Sequence, residues 1–344
     1  MERKTASSCA SENSPPIETE SVPFPKFWSL PPRLSRRSRF RHWRRDLVFR
    51  FIYFLARVLL GLGIERAARL AEKIGPLLFF LQRRERRIAL ENLELAWGRE
   101  MDAAERSRIA RRVFRCAALS GVESLWMSRW TELCRWLSFE VDGRDRLERA
   151  LGKGKGVICI TAHFGSWEVM AAETAQLGYP VHIVAREMKD PRLEAWVRGV
   201  REACGIRVVP RGRNPLSMVR ILGRGGMLGL MIDLDTRSGQ GIFVDFFGNK
   251  AYTQTGPFIL ARKTGAVLVP SLCYREGINR LRFFFGEPWE IVPSDDAEAD
   301  IRQAAERATG YLEDRIRERP EQWAWFHKRW KTTPEHFERK QAAK

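Results

Sequence analysis

From Gly152 onward the chain alternates short apolar runs with stretches of helical periodicity, and this alternation narrows the fold more than any other feature. The turn Gly152-Lys153-Gly154-Lys155-Gly156 leads into Val157-Ile158-Cys159-Ile160, a run too short for a helix and apolar at every position. Further strands are predicted over 181–184, 206–209, 227–232, 242–247, 266–274 and 281–285. Helical patterns fall between them at 167–177, 191–204, 215–222 and 256–263, and a last helix at 297–319 closes the series. Parallel neighbours need crossover helices, which cover both faces of the sheet and leave its strands apolar throughout. The pattern therefore implies an α/β fold with a mixed, largely parallel sheet flanked by helices.

The residues before Gly152 have a different texture. Residues 1–32 are rich in Ser, Glu and Pro and read as a disordered tail. Residues 33–64 read as a basic and apolar membrane-associating helix. Seven arginines and no acid occupy 33–45, interleaved with Phe40, His42 and Trp43, and an apolar stretch from Leu47 to Ile64 follows. Arg50 and Arg57 interrupt that stretch on one helical face, which suits a helix lying in the membrane interface with its arginines reaching headgroups. A core helix with two surface arginines is the alternative, and the pattern leaves open whether the segment spans. Residues 65–150 read as a helical region belonging to one domain with the α/β part, 151–335. The run Arg83-Arg84-Glu85-Arg86-Arg87 within it reads as a solvated helix face.

Composition limits the partners. Lys and Arg number 60 against 42 Asp and Glu, a net charge of +18 over 344 residues, so an anionic partner is implied. The 12 Trp and 20 Phe favour a membrane surface over nucleic acid, and no helix-turn-helix, RNA-binding sheet signature or zinc module is present. The six cysteines are scattered without a C-x-x-C pair, which fits a reducing compartment and gives no zinc site. No secretory signal, P-loop, nucleophile elbow, zinc-protease motif or dinucleotide fingerprint occurs. Neither a metal nor a cofactor is expected.

The chemistry-bearing stretch is Thr161-Ala162-His163-Phe164-Gly165-Ser166-Trp167-Glu168. It follows a predicted strand, at the sheet edge where α/β folds place ligands. Five residues of straight helix turn through about 500°, so His163 and Glu168 cannot share a helix face. Their cooperation requires His163 on the loop and Glu168 in the first turn of the next helix, with Gly165 making the reversal. Glu168 can then orient the imidazole and leave its other nitrogen as a base for a hydroxyl. The plainer alternative is a strand-end His bonded to backbone and a solvated Glu.

The stretch resembles the H-x4-[DE] motif of glycerolipid-type acyltransferases, and specifically the bacterial lipid A biosynthesis acyltransferases. The likeness extends over roughly residues 45–335. It includes Glu91-Asn92-Leu93-Glu94, Ala185-Arg186 before Asp190-Pro191, Met231-Ile232-Asp233-Leu234-Asp235, Phe243-Val244-Asp245-Phe246-Phe247-Gly248 and the closing QWAWFHKRWK. Ser166 stands where Asn is frequent, and Leu234 follows Asp233 where Gln is common. The resemblance implies transfer of a fatty acyl chain from acyl carrier protein to a hydroxyl of a phosphorylated lipid A precursor. It places the enzyme at the cytoplasmic face of the cell inner membrane, on an anionic membrane surface and without nucleic acid. It implies catalytic roles for His163 and Glu168 and substrate-binding roles for Arg186, Arg201 and Asp233. A surface role for Arg186 and a turn-capping role for Asp233 stay open. So do a lysophospholipid or other glycolipid acceptor, acyl-CoA as donor, and, in a different class, a basic membrane- or nucleic-acid-binding protein. The aromatic C-terminal segment reads as a membrane anchor or an amphipathic helix capping the core.

Overall fold

In the computed structural model, which describes residues 36–212, 215–236 and 239–342, six of the seven strand candidates join one further strand in a seven-stranded sheet, while 242–247 forms a separate hairpin. Five helices come first: α1 (Arg36–Leu62), α2 (Ile64–Leu81), α3 (Arg83–Trp97), α4 (Ala103–Trp126) and α5 (Trp130–Trp136). There follow β1 (Ser138–Asp142), α6 (Arg144–Gly152), β2 (Val157–Thr161), α7 (Trp167–Gln176), β3 (Val181–Ala185), α8 (Pro191–Ala203), β4 (Arg207–Pro210), α9 (Pro215–Gly223) and β5 (Met227–Met231). A hairpin of β6 (Gly241–Phe246) and β7 (Asn249–Gln254) leads to α10 (Gly256–Thr264), β8 (Val267–Arg275), β9 (Arg280–Phe285), α11 (Ala297–Glu318) and α12 (Pro334–Ala342).

The strand order in the sheet is β1-β9-β8-β2-β5-β3-β4. Every pair is parallel except β8 with β9, so the sheet is mixed and largely parallel, as the alternation implies. The central strand β2 shows why. Ile158 and Ile160 face one core with α3, α4, α10 and α11, whereas Val157 and Cys159 face the other with α7 and α8. Full burial of one such side chain is worth roughly 1.5–3 kcal/mol, and a strand apolar on both faces gains it twice over.

Two expectations need correction, and one further strand escaped the sequence pattern. The 65–150 segment is not wholly helical, because β1 lies within it and pairs with β9. As an edge strand, β1 is exposed or half-buried throughout and lacks the apolar run that marks the others. The hairpin strand β7 buries Ala251, Tyr252 and Thr253 but carries Asn249, Lys250 and Gln254 at its ends, so it too lacks a clear apolar run. Residues 322–330 form neither an exposed anchor nor a helix. They run as a strap whose Trp323 and Trp325 are fully buried, beginning in a short 3₁₀ turn at Pro320–Gln322.

The predicted tail 1–32 lies outside the described residues. In α1 the helix starts inside the arginine run and stops at Gly63, whose φ of +78° ends it before α2. Leu47, Phe51, Phe54 and Val58 of α1 are exposed. In α2, Leu70, Ile74, Leu77 and Leu81 recur at helical spacing on a second exposed stripe. The opposite face of α2 buries Ala67, Ala68, Ala71 and Gly75. A Cβ at Gly75 would come within 2.5 Å of the Arg115 Cα, so a small residue lets α2 lie directly on α4. Arg83, Arg84 and Arg87 are exposed on the first turns of α3. No helix among the described residues is long and apolar enough to cross a membrane.

Candidate active site

Strand β2 delivers His163 to the sheet edge, and a sharp reversal carries the chain into α7. Gly165 makes that reversal at φ +59°, and a Cβ there would lie 1.8 Å from the Cys273 carbonyl oxygen. Only glycine fits. The turn is pinned from both sides: the Gly165 N–H donates to the Gln322 carbonyl at 2.9 Å, and the Ser120 hydroxyl donates to the Gly165 carbonyl at 2.8 Å. The buried Ser166 hydroxyl donates to Glu123 Oε2 at 2.6 Å, and Glu123 is itself paired with Arg275.

The imidazole is oriented by Asp233, not by Glu168. Strands β2 and β5 pair with Thr161 opposite Met231, so the residues two further on, His163 and Asp233, leave the sheet side by side. The Asp233 carboxylate lies 3.0 and 3.1 Å from His163 Nδ1 and accepts the His163 backbone N–H at 2.8 Å. It also accepts from Trp323 Nε1 at 3.0 Å and is wholly buried. Burial alone would push this carboxyl up, but the charge and hydrogen bonds of His163 hold it well below the usual carboxylate range. With Asp233 ionised, Nδ1 carries the proton and Nε2 keeps its lone pair. For His163, burial opposes the charge, yet Asp233 first and Glu168 second raise its pKa above the ordinary 6.5.

Glu168 faces the other way. From the first turn of α7 it meets Arg201 of α8, whose Nε donates at 3.0 Å while Nη2 bonds the second oxygen. The fork of the guanidinium takes both carboxylate oxygens, leaving no direct bond from Glu168 to the imidazole. Both members of this pair are partly buried, at 18% exposure each. Arg201 is thereby fixed rather than free to follow an anion. Asp233 is not among the cavity-lining residues, and its carboxylate is bonded to His163 and Trp323. Arg186 lies exposed at the rim, beyond the end of β3.

The C-terminal strap supplies residues that the H-x4-[DE] pattern does not contain. Ala324 N–H donates to the His163 carbonyl at 3.0 Å, and the buried Asn92 of α3 donates to the Trp325 and His327 carbonyls at 2.7 and 2.6 Å. These bonds bring the His327 ring to 4.5 Å from that of His163, tilted by 53°. Burial, reinforced by the neighbouring His163, pushes His327 down to about 4, so it stays neutral beside that ring. A histidine in the closing aromatic run was the one signal that could have marked it.

His163, Glu168 and Arg201 open on a cavity of about 1350 Å³. Met170, Val181, Ile183, Trp196, Val200 and Met227 line it on the α7–α8 side of the sheet. Ile52, Leu55, Ala56 and Leu59 of α1 close it as a wall. An apolar cavity of this size with a few converging polar groups suits a ligand that is mostly hydrocarbon. Among the described residues, no cluster of His, Cys, Asp and Glu could hold a metal ion.

Comparison with known proteins places the chain in a family. Residues 34–332 match the family described as bacterial lipid A biosynthesis acyltransferase. A lipid A biosynthesis palmitoleoyltransferase of Escherichia coli is 30% identical over 260 residues, 74% of this chain and 81% of that protein. A lipid A biosynthesis lauroyltransferase of the same organism is 27% identical over 78% of this chain and 86% of its own length. A phosphatidylinositol mannoside acyltransferase of Mycobacterium tuberculosis is 27% identical over 62% of this chain and 69% of its own length. The chain belongs to the bacterial lipid A biosynthesis acyltransferase family and is an acyltransferase.

Proposed function

We propose that this family member transfers a fatty acyl chain from acyl carrier protein to a hydroxyl of a lipid A precursor, in lipopolysaccharide biosynthesis at the cytoplasmic face of the inner membrane. The observation that carries the reading is the His163–Asp233 pair opening on a large apolar cavity. The cavity takes the acyl chain, and Nε2 of His163 removes the proton of the acceptor hydroxyl. The oxygen attacks the thioester carbonyl, the C–S bond breaks, and the imidazolium returns its proton to the departing thiolate. Asp233 keeps the tautomer and stabilises the imidazolium. Arg201, paired with Glu168, lines the same cavity and adds a fixed positive charge to its wall. No acyl-enzyme is needed, because the thioester is already activated.

Initial rates with purified enzyme, acyl donor and lipid acceptor test the reading. His163→Ala is expected to lower turnover by about 10²–10⁴-fold. Retention of more than about a tenth of the wild-type rate would remove His163 from the base role.

A second reading keeps the same chemistry on another glycolipid acceptor, and the phosphatidylinositol mannoside acyltransferase among the relatives supports it. Acceptor competition with lipid A precursor separates the two.

The exposed stripes of α1 and α2, flanked by Arg50, Arg57, Arg66 and Arg69, suit helices lying in an anionic interface rather than across it. Deleting residues 1–64 is expected to lower pelleting with membranes while the α2 stripe retains a fraction. Turnover is expected to fall as well, because the α1 wall of the cavity goes with the deletion. Undiminished pelleting would shift the membrane contact elsewhere.

A further inference from the structure

Two arginines sit at neighbouring strand ends on the cavity rim, and among the described residues neither has a carboxylate within ion-pair reach. Arg186 follows β3 and Arg211 follows β4, and these strands pair in parallel with Ala185 opposite Pro210. The Arg211 N–H donates to the Ala185 carbonyl at 2.8 Å, which sets the two arginines next to each other. Both line the same cavity as His163 and both are exposed. Among the described residues neither makes an ion pair. The arginines of the adjoining helix α8 are all committed: Arg192 to Asp190 and Asp46, Arg198 to Glu194, and Arg201 to Glu168. Two neighbouring cations repel each other, and an anion between them turns the repulsion into attraction.

The sheet itself measures their distance from the chemistry. Its strands β2, β5, β3 and β4 lie in that order, and their C-terminal ends carry His163, Asp233, Arg186 and Arg211. At 4.7–4.9 Å per strand, Arg186 stands about 10 Å and Arg211 about 14 Å from the base along the sheet edge. Guanidinium forks match phosphate oxygens bidentately, and Arg201, already held by Glu168, is not available for that task.

We infer that Arg186 and Arg211 form a phosphate subsite that anchors a phosphorylated group of the substrate about 10–14 Å from the reacting hydroxyl. The inference rests on the cavity being the acyl-transfer site. The phosphate has two possible sources with the same chemistry: the acceptor lipid, or the phosphopantetheine arm of the donor.

The test uses full-length wild type and the double variant Arg186→Gln/Arg211→Gln in detergent. Rates are measured with a phosphorylated glucosamine lipid, the same lipid after phosphatase treatment, and acyl donors with and without the pantetheine phosphate. KM for the phosphorylated acceptor is expected to rise about 10- to 100-fold in the variant with kcat within about threefold, and this difference vanishes with the dephosphorylated lipid. The same pattern on the donor side supports the subsite and assigns the phosphate to the donor. Calorimetric titration of the phosphorylated lipid and the phosphate-bearing donor needs no turnover. Equal affinities of wild type and variant for both ligands overturn the subsite whether or not transfer is seen. Absence of transfer by the wild type with every donor and acceptor counts against the functional reading alone.

Discussion

Asp233 and Glu168 flank the same imidazole in opposite surroundings. Asp233 is sealed from solvent at the sheet edge and receives three donors, two from His163 and one from Trp323. Glu168 lies on the cavity wall and serves one arginine on a neighbouring helix. A carboxylate near a histidine in sequence is thus distinguished from one bonded to it in space. Strand register chose the partner of His163; the first turn of α7 aimed Glu168 across at α8.

Removing each carboxylate's charge tests the contrast. Asp233→Asn keeps the shape but loses the charge that stabilises the imidazolium, so a fall of about 10²-fold or more in kcat is expected. Glu168→Gln leaves the base oriented and frees Arg201, and a smaller loss of about tenfold is expected, accompanied by a rise in KM for the donor. Rates falling equally for the two variants would dissolve the distinction between them. Trp323→Phe removes the third donor to Asp233 together with part of the ring packed against Phe246 and Trp325. A loss of severalfold is expected, in line with the roughly 1.5–3 kcal/mol of a hydrogen bond to a charged group shared over both states of the reaction. A loss as large as that of Asp233→Asn would mean that the strap, rather than the charge, carries the effect.

Much of the sheet was legible because strands buried on both faces announce themselves as short apolar runs, as at Val157–Thr161 and Val267–Arg275. Strands β1 and β7 were not, since an edge strand and a hairpin strand carry polar side chains to solvent. In the site, His163 and the Gly165 reversal could be read from local spacing. The partner of His163 could not, because a contact across 70 residues depends on which strands pair and in what register. The strap shows the same limit more sharply. Its aromatic residues suggested a lipid surface or a helix face. The structure instead spends Trp323 on Asp233, Trp325 on Trp97 and Phe247, and His327 on His163.

The most direct measurement of the central claim is the acid limb of the kcat/KM–pH profile for wild type, Asp233→Asn and Glu168→Gln. His163 must be neutral to act as base, so activity rises as pH passes upward through its pKa, which the two carboxylates raise above 6.5 in the wild type. Loss of the Asp233 charge is expected to move that limb to lower pH by a wide margin, since burial alone would hold the imidazole neutral. Loss of the Glu168 charge is expected to move it in the same direction but by less, because that carboxylate is farther away and is neutralised by Arg201. A limb that stays in place in Asp233→Asn while shifting strongly in Glu168→Gln would contradict the assignment of Asp233 as the partner of the base.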